Sequence, residues 1–383
     1  MFLIRYIMEN IIPPYLTKDF LKRALENGFK TPNVEIQDFT AEAASGKGEN
    51  YTSEILRVRV NYKLPQKGNQ QISLIMKNVQ IEGEVRAAIR NMDVVQIETN
   101  IVLVLADLKA LGYELQDRIG GLDEANCIMV MKKIAKFHAG SMYITKNNPK
   151  YAEIFDKPMF NKFTVVSKTF QQMFKNTFDQ MVTIVKVWPG YEEIAKKLEK
   201  IGANIMDRGF EHCKRKDGEL RVINHGDMWV NNMMFKYNNS DKIPIDVAFV
   251  DLQLSYYGSL GIDLNYFFNT SPKIEVLKSK RMELLRVYYE NLKTSLQQLK
   301  YSPIPSWEDV CKEVRAKEFY GLVTLGCLFP IIIMDKSASQ DSTIENLQEN
   351  SKERHEAMFS SKRMIESLKY SLKRFNELGV LDE

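Results

Sequence analysis

The chain has 383 residues, of which 44% are apolar and 27% charged, enough for a sizeable core and long enough for two domains. Its 53 basic and 49 acidic side chains leave a net charge of +4, too balanced to suggest nucleic acid or a membrane surface as a partner. Cys127, Cys213, Cys311 and Cys327 lack metal-ligand spacing and read as reduced thiols, so the cytoplasm is the expected setting.

Met1 to Met8 is apolar but broken by Arg5 and lacks the pattern of a signal peptide. The spacing of Phe20, Leu21 and Leu25 predicts a helix over 17–27, with Thr17 able to cap it and Gly28 placed to end it. Residues 33–64 read as strands, through Val34, Ile36 and Phe39 and then Ile55, Val58, Val60 and Tyr62. Between them, Ser45 to Ser53 is rich in small residues. Gly46, Gly48, Asn50 and Ser53 could bring backbone N–H groups up to a phosphate, or could form a plain hairpin turn.

Lys77 closes the apolar run Ile72 to Met76. A lysine on such a strand is costly unless its ammonium finds anions, such as phosphates and a carboxylate; otherwise it sits at the strand's exposed end. A helix over 83–98 would carry Glu98, a candidate partner for Lys77 or a surface glutamate. Ile101 to Leu105 reads as a buried strand. Asp107 and Leu108 follow it, where backbone could pair with an adenine edge or simply lead into the next element. A long helix is expected over 123–139, with His138 on its apolar face as a core histidine. Residues 151–215 read as mostly helical with a break at Pro189-Gly190, and further helices are expected over 274–300, 307–334 and 343–378. The longest apolar run, Gly321 to Met334, is interrupted by Pro330 and too short to span a bilayer.

The most informative stretch is Val222-Ile223-Asn224-His225-Gly226-Asp227-Met228-Trp229-Val230-Asn231-Asn232, followed by an apolar run that ends in Asp251. A carboxylate, an amide five residues on, and a strand-ending carboxylate form the order used for phosphoryl transfer. Asp227 and His225 are the candidate catalytic pair: Asp227 would orient the attacking hydroxyl, and His225 would brace the loop by hydrogen bonding. Asn232 and Asp251 would hold Mg²⁺, a hard cation that takes oxygen ligands. The competing reading is a β-hairpin with a turn-forming His-Gly-Asp. Asp263 could cap the next helix or brace the catalytic loop, and the structural role is favoured.

These stretches, with Gly48 to Ser53, Leu74 to Lys77 and Leu103 to Leu108, resemble the ecdysteroid kinase-like family of insects, within the choline-kinase and aminoglycoside-phosphotransferase group. The resemblance runs from about Ile12 to the C-terminal helices. It implies an α+β, protein-kinase-like fold of two lobes: residues 1–108 as a small nucleotide-binding lobe on an antiparallel sheet, and 109–383 as a larger helical lobe. It also implies ATP and Mg²⁺, with a small-molecule alcohol as acceptor, an ecdysteroid or another lipophilic compound. The aromatic and Met content of 158–188 would suit an apolar acceptor pocket or a packed core.

Two features depart from the family pattern. Ala106 stands where a Glu is usual, which backbone contacts to adenine could survive. The stretch from Asn78 to Asn100 has room for the expected helix and little else, which predicts a small lobe lacking one strand near residue 100. A catalytically impaired protein that keeps the fold as a binding module is therefore the alternative to an active kinase.

Overall fold

The computed structural model describes residue 13 and residues 15–44, 54–78, 102–334 and 352–382. The chain divides into two compact units, the first ending at Gly112 and the second running from Tyr113 to the C-terminus apart from the segment 84–95. The architecture is mixed α+β, with an antiparallel sheet in the first unit and mainly helices in the second.

In the first unit, helix α1 (Lys18–Phe29) begins where expected, Thr17 accepting the Phe20 amide at 3.1 Å. It passes through Gly28 and closes on Lys30, which takes the left-handed conformation. The chain must reverse there to bury Val34, whose amide donates to the Glu26 side chain at 3.1 Å. Strands β1 (Glu35–Ala43), β2 (Glu54–Leu64), β3 (Gly68–Asn78) and β4 (Val102–Ala106) pair in that order, antiparallel throughout. Alternation puts Leu56, Val58, Val60, Leu74 and Met76 on one face, where they pack with Leu21 and Leu25 of α1. Arg57, Arg59 and Ser73 lie on the other face, as does Lys77, which pairs in register with Ile55 and Leu103.

Among the described residues the sheet has four strands, with β4 at its edge. The expectation of a buried strand over 101–105 needs correction, since Leu105 is 48% exposed. Its apolar composition belongs to an edge position, the kind of strand that invites pairing with another chain. Residues 83–98 lie outside the described residues.

In the second unit, β5 (Tyr113–Leu115) precedes helix α2 (Glu124–Asn147), which runs eight residues past the expected end. Cys127, Val130, Met131, Ile134, Ala135 and His138 fall on its buried stripe. Helices α3 (Lys150–Ile154), α4 (Lys168–Val185), α5 (Glu192–Gly202) and α6 (Ile205–Cys213) follow, broken at Pro189-Gly190. On α4, Phe170, Met173, Phe174, Phe178 and Met181 are all buried, so the aromatic and Met content here packs a core. Strands β6 (Arg221–Asn224) and β9 (Tyr256–Ser259) form one ladder; β7 (Met233–Tyr237) and β8 (Pro244–Phe249) join β5 in another, ordered β5-β7-β8.

Helix α7 (Gly261–Thr270) is buried along its whole length. Then come α8 (Ile274–Gln298), α9 (Trp307–Ala316), α10 (Glu318–Val323), α11 (Phe329–Ile333), α12 (Lys352–Phe359) and α13 (Lys362–Glu377). Among the described residues no single helix is long and apolar enough to cross a membrane.

A buried ion cluster ties four of these helices together. Glu318 on α10 pairs with Arg281 of α8 at 3.0 Å and with Arg374 of α13, and Arg281 also donates to Asn265 of α7. Burial alone would raise the Glu318 pKa, but the two guanidinium groups outweigh it and hold the group below its ordinary value. Removing the carboxylate leaves two cations without their counter-charge, so Glu318→Gln should cost about 3–5 kcal/mol in urea unfolding. Because the folded pKa is depressed, the contribution is complete above the unfolded value of about 4.3 and fades as pH falls through the folded value. The variant's stability curve should lose that acid slope.

Candidate functional site

Strand β6 ends in Asn224, and the chain turns through His225-Gly226-Asp227 into the short 3₁₀ turn Val230–Asn232. Gly226 makes this corner possible: its φ is +84°, and a Cβ there would stand 2.0 Å from the carbonyl oxygen of Leu254. Both requirements exclude any side chain. Val230 and Met228 plug the turn into the core.

Asp263, in the first turn of α7 and itself buried, fixes the corner from below. Its Oδ2 accepts the His225 amide at 2.7 Å and its Oδ1 the Gly226 amide at 2.9 Å. His138 Nε2 reaches the same Oδ2 at 3.1 Å, while its Nδ1 meets the Tyr288 hydroxyl at 2.8 Å. A carboxylate only accepts, so Nε2 carries the proton and Nδ1 accepts from Tyr288 when the ring is neutral. Of the two roles open to Asp263 in the sequence, bracing the loop is the one it performs, and His138 is the satisfied core histidine expected.

His225 is used up in the same way. Its Nδ1 accepts the Asp227 amide at 3.3 Å and its Nε2 donates to the Val250 carbonyl at 3.0 Å. His225, named with Asp227 as the candidate catalytic pair, thus has the bracing geometry expected of it, because both ring nitrogens serve the backbone. The Val250 amide in turn donates to the Asn232 carbonyl at 3.0 Å. These two bonds clamp the end of β8 to the loop and deliver Asp251, which adopts a left-handed φ of 64°. That conformation is uncommon outside glycine, and Asp is among the residues that tolerate it.

Asp227 is partly buried, and three donors converge on it. Oδ1 accepts the Tyr266 hydroxyl at 2.6 Å; Oδ2 accepts Asn232 Nδ2 at 2.7 Å and the Trp229 indole N–H at 3.2 Å. Burial raises the Asp227 pKa and the nearby charge of Asp251 raises it further, against the lowering effects of Tyr266, His225 and Asn232. The structure thus brings Asp227, Asn232 and Asp251 together, as their order in the chain requires.

Asn232 Nδ2 also donates to the Asp227 carbonyl at 3.0 Å. Its two N–H groups are therefore spent, and its amide oxygen is the atom left for a cation. The Asp251 carboxylate and the Asn232 amide oxygen make an all-oxygen donor set, which fits Mg²⁺. Among the described residues no three His, Cys, Asp or Glu side chains form a metal cage. Mg²⁺ ordinarily keeps waters and substrate oxygens and takes only one or two carboxylates, so the set is sufficient.

The first unit holds the remaining site candidates. Lys77 is buried on β3. Asp107 is otherwise engaged: its carboxylate accepts from Arg57 Nε at 2.7 Å, Ser73 Oγ at 2.6 Å and the Lys109 amide at 3.1 Å. Its own amide donates to the Ser73 carbonyl, and the Leu108 carbonyl accepts the Leu111 amide. Of the backbone groups expected to face an adenine edge, the Asp107 amide is thus taken by β3 and the Leu108 carbonyl by a turn. Gly46, Gly48, Asn50, Ser53 and Glu98 lie outside the described residues.

The model of the ecdysteroid kinase-like family matches residues 47–101 and 95–301. The chain belongs to this family. The match falls in two pieces that overlap at 95–101. Among solved structures, a Plasmodium vivax ethanolamine kinase is 13% identical, with 89% of this chain and 84% of that chain covered at a TM-score of 0.41. Nothing matches among curated proteins.

The sequence did not disclose Trp229 and Tyr266 as partners of Asp227. The one signal available was spacing: Asp263 and Tyr266 stand three residues apart on one helix and so share a face. The corner itself gives a direct test. Gly226→Ala should lower Tm and abolish activity, because a Cβ meets backbone. Gly218→Ala serves as control, with φ +81° but open space around it. It should cost only about 1–2 kcal/mol for the left-handed backbone and leave activity intact.

Proposed function

We propose that the chain is an ATP-dependent phosphotransferase acting on a hydroxyl of a small lipophilic molecule such as an ecdysteroid. Membership of a kinase-like family supports phosphotransfer in general. The observation that carries the reading for this chain is the pinned loop of Asp227 and Asn232 clamped to the end of β8, from which Asp251 follows.

Asp227 would orient the acceptor hydroxyl, and its raised pKa makes it a better proton acceptor than an ordinary carboxylate. Asn232 and Asp251 would hold Mg²⁺, which when bound neutralises charge on phosphate oxygens. Lys77, buried on β3, would pair with phosphate. The four cysteines are free, three of them buried, which fits a reducing compartment such as the cytoplasm.

One observation favours the alternative of a catalytically impaired binding protein: a small sheet of four described strands with an apolar edge. Incubating the full chain with Mg·ATP and a panel of lipophilic alcohols, ecdysteroids included, separates the two readings. Mass spectrometry should show a phosphorylated product, with turnover reduced about 10²–10⁴-fold in Asp227→Asn. ATP binding without any product from the panel would favour the binding protein.

A further inference from the structure

A carboxylate offers about four lone-pair positions, two on each oxygen. On Asp227 these are unequally used. Oδ2 is filled by Asn232 Nδ2 and Trp229 Nε1. Oδ1 accepts only the Tyr266 hydroxyl and keeps one position. Tyr266 is committed to donating, since burial and the Asp227 charge push its pKa well above the ordinary value. The three donors come from two elements, the loop and α7, and they approach both oxygens. The Asp side-chain torsion, soft by itself, is therefore fixed.

We propose that Asp227 meets the acceptor hydroxyl through Oδ1, and that Trp229 and Tyr266 are positioning residues that lock the carboxylate in this presentation. The proposal rests on the phosphotransferase reading above and deepens it by naming the reacting atom. Asn232 then has two tasks: its N–H groups lock Asp227 while its amide oxygen faces the cation site. A hydroxyl approaching Oδ2 would have to displace an existing donor, whereas one approaching Oδ1 completes the oxygen's shell. Holding a reacting group within a narrow range of angles is where such bonds act on rate.

The test compares wild type with Asp227→Asn, Trp229→Phe, Trp229→His and Tyr266→Phe, each as the full chain. Mg·ATP turnover is measured with ecdysone and with water as acceptor, and folding is checked by circular dichroism and Tm. The expected result is a kcat about ten- to a hundredfold lower in Trp229→Phe and Tyr266→Phe with KM for ATP unchanged. Trp229→His, which keeps a ring N–H, should recover part of the loss. Wild-type kcat in both Phe variants, or a loss confined to KM, would overturn the proposal while leaving the phosphotransferase reading intact. Should Tyr266→Phe fail to fold, the Trp229 pair decides in the same way. Equal turnover by wild type and Asp227→Asn would sink the phosphotransferase reading, and this proposal with it.

Discussion

The second unit's site depends on one buried carboxylate. Among the described residues no lysine or arginine bonds to Asp263; it is satisfied by two backbone amides and the ring of His138. A buried charge is tolerable only when its lone pairs are met by donors. Backbone amides are suitable donors because their positions are set by the chain path. The dependence runs both ways: without Asp263 the amides of His225 and Gly226 would be orphaned in the interior, and without the corner the carboxylate would lack its donors. The position of Asp227 follows, since it comes directly after His225, held at amide and ring, and Gly226, held at its amide.

The loop that results is costly, and the cost sits where chemistry is expected. Gly226 and Asp251 both occupy left-handed backbone. Asp227 carries its charge where burial and Asp251 disfavour it. Such features persist only when surrounding structure over-determines them. Here the surroundings are specific: the clamp between Val250 and the ring and carbonyl of His225 and Asn232, the apolar plugs Met228 and Val230, and the fully buried helix α7.

How much of this was legible in the sequence depends on distance along the chain. The Asp227 to Asn232 spacing is local, so the meeting of those side chains follows from a short turn that the motif already implied. Asp251 is reached through a hairpin, also local, and its place was readable. His225 was rightly read as a brace, but its tally of bonds was not, because Val250 had to be placed first. The side-chain role of Asp107 was not readable for the opposite reason: Arg57, its partner, stands fifty residues earlier, and nothing near Asp107 announces it. Leu105 misled because apolar composition reports what a strand could bury, whereas its place in the sheet order decides what it does bury. The Phe- and Met-rich helix α4 was ambiguous in sequence and resolved in favour of core.

Asp107 is nonetheless informative about the first unit. An edge strand of five residues is held by backbone pairing on one side only, and such strands fray. The turn after β4 carries a carboxylate that crosses back over the sheet, bonding Ser73 on β3 and Arg57 on β2. Burial would raise its pKa, but Arg57, Ser73 and the Lys109 amide together hold it below the usual carboxylate range. The ion pair is almost fully buried on the Asp107 side, so solvent screens it less than it would a surface pair. One side chain thus ties the turn after β4 back to β3 and β2, and so helps hold the last described strand in register.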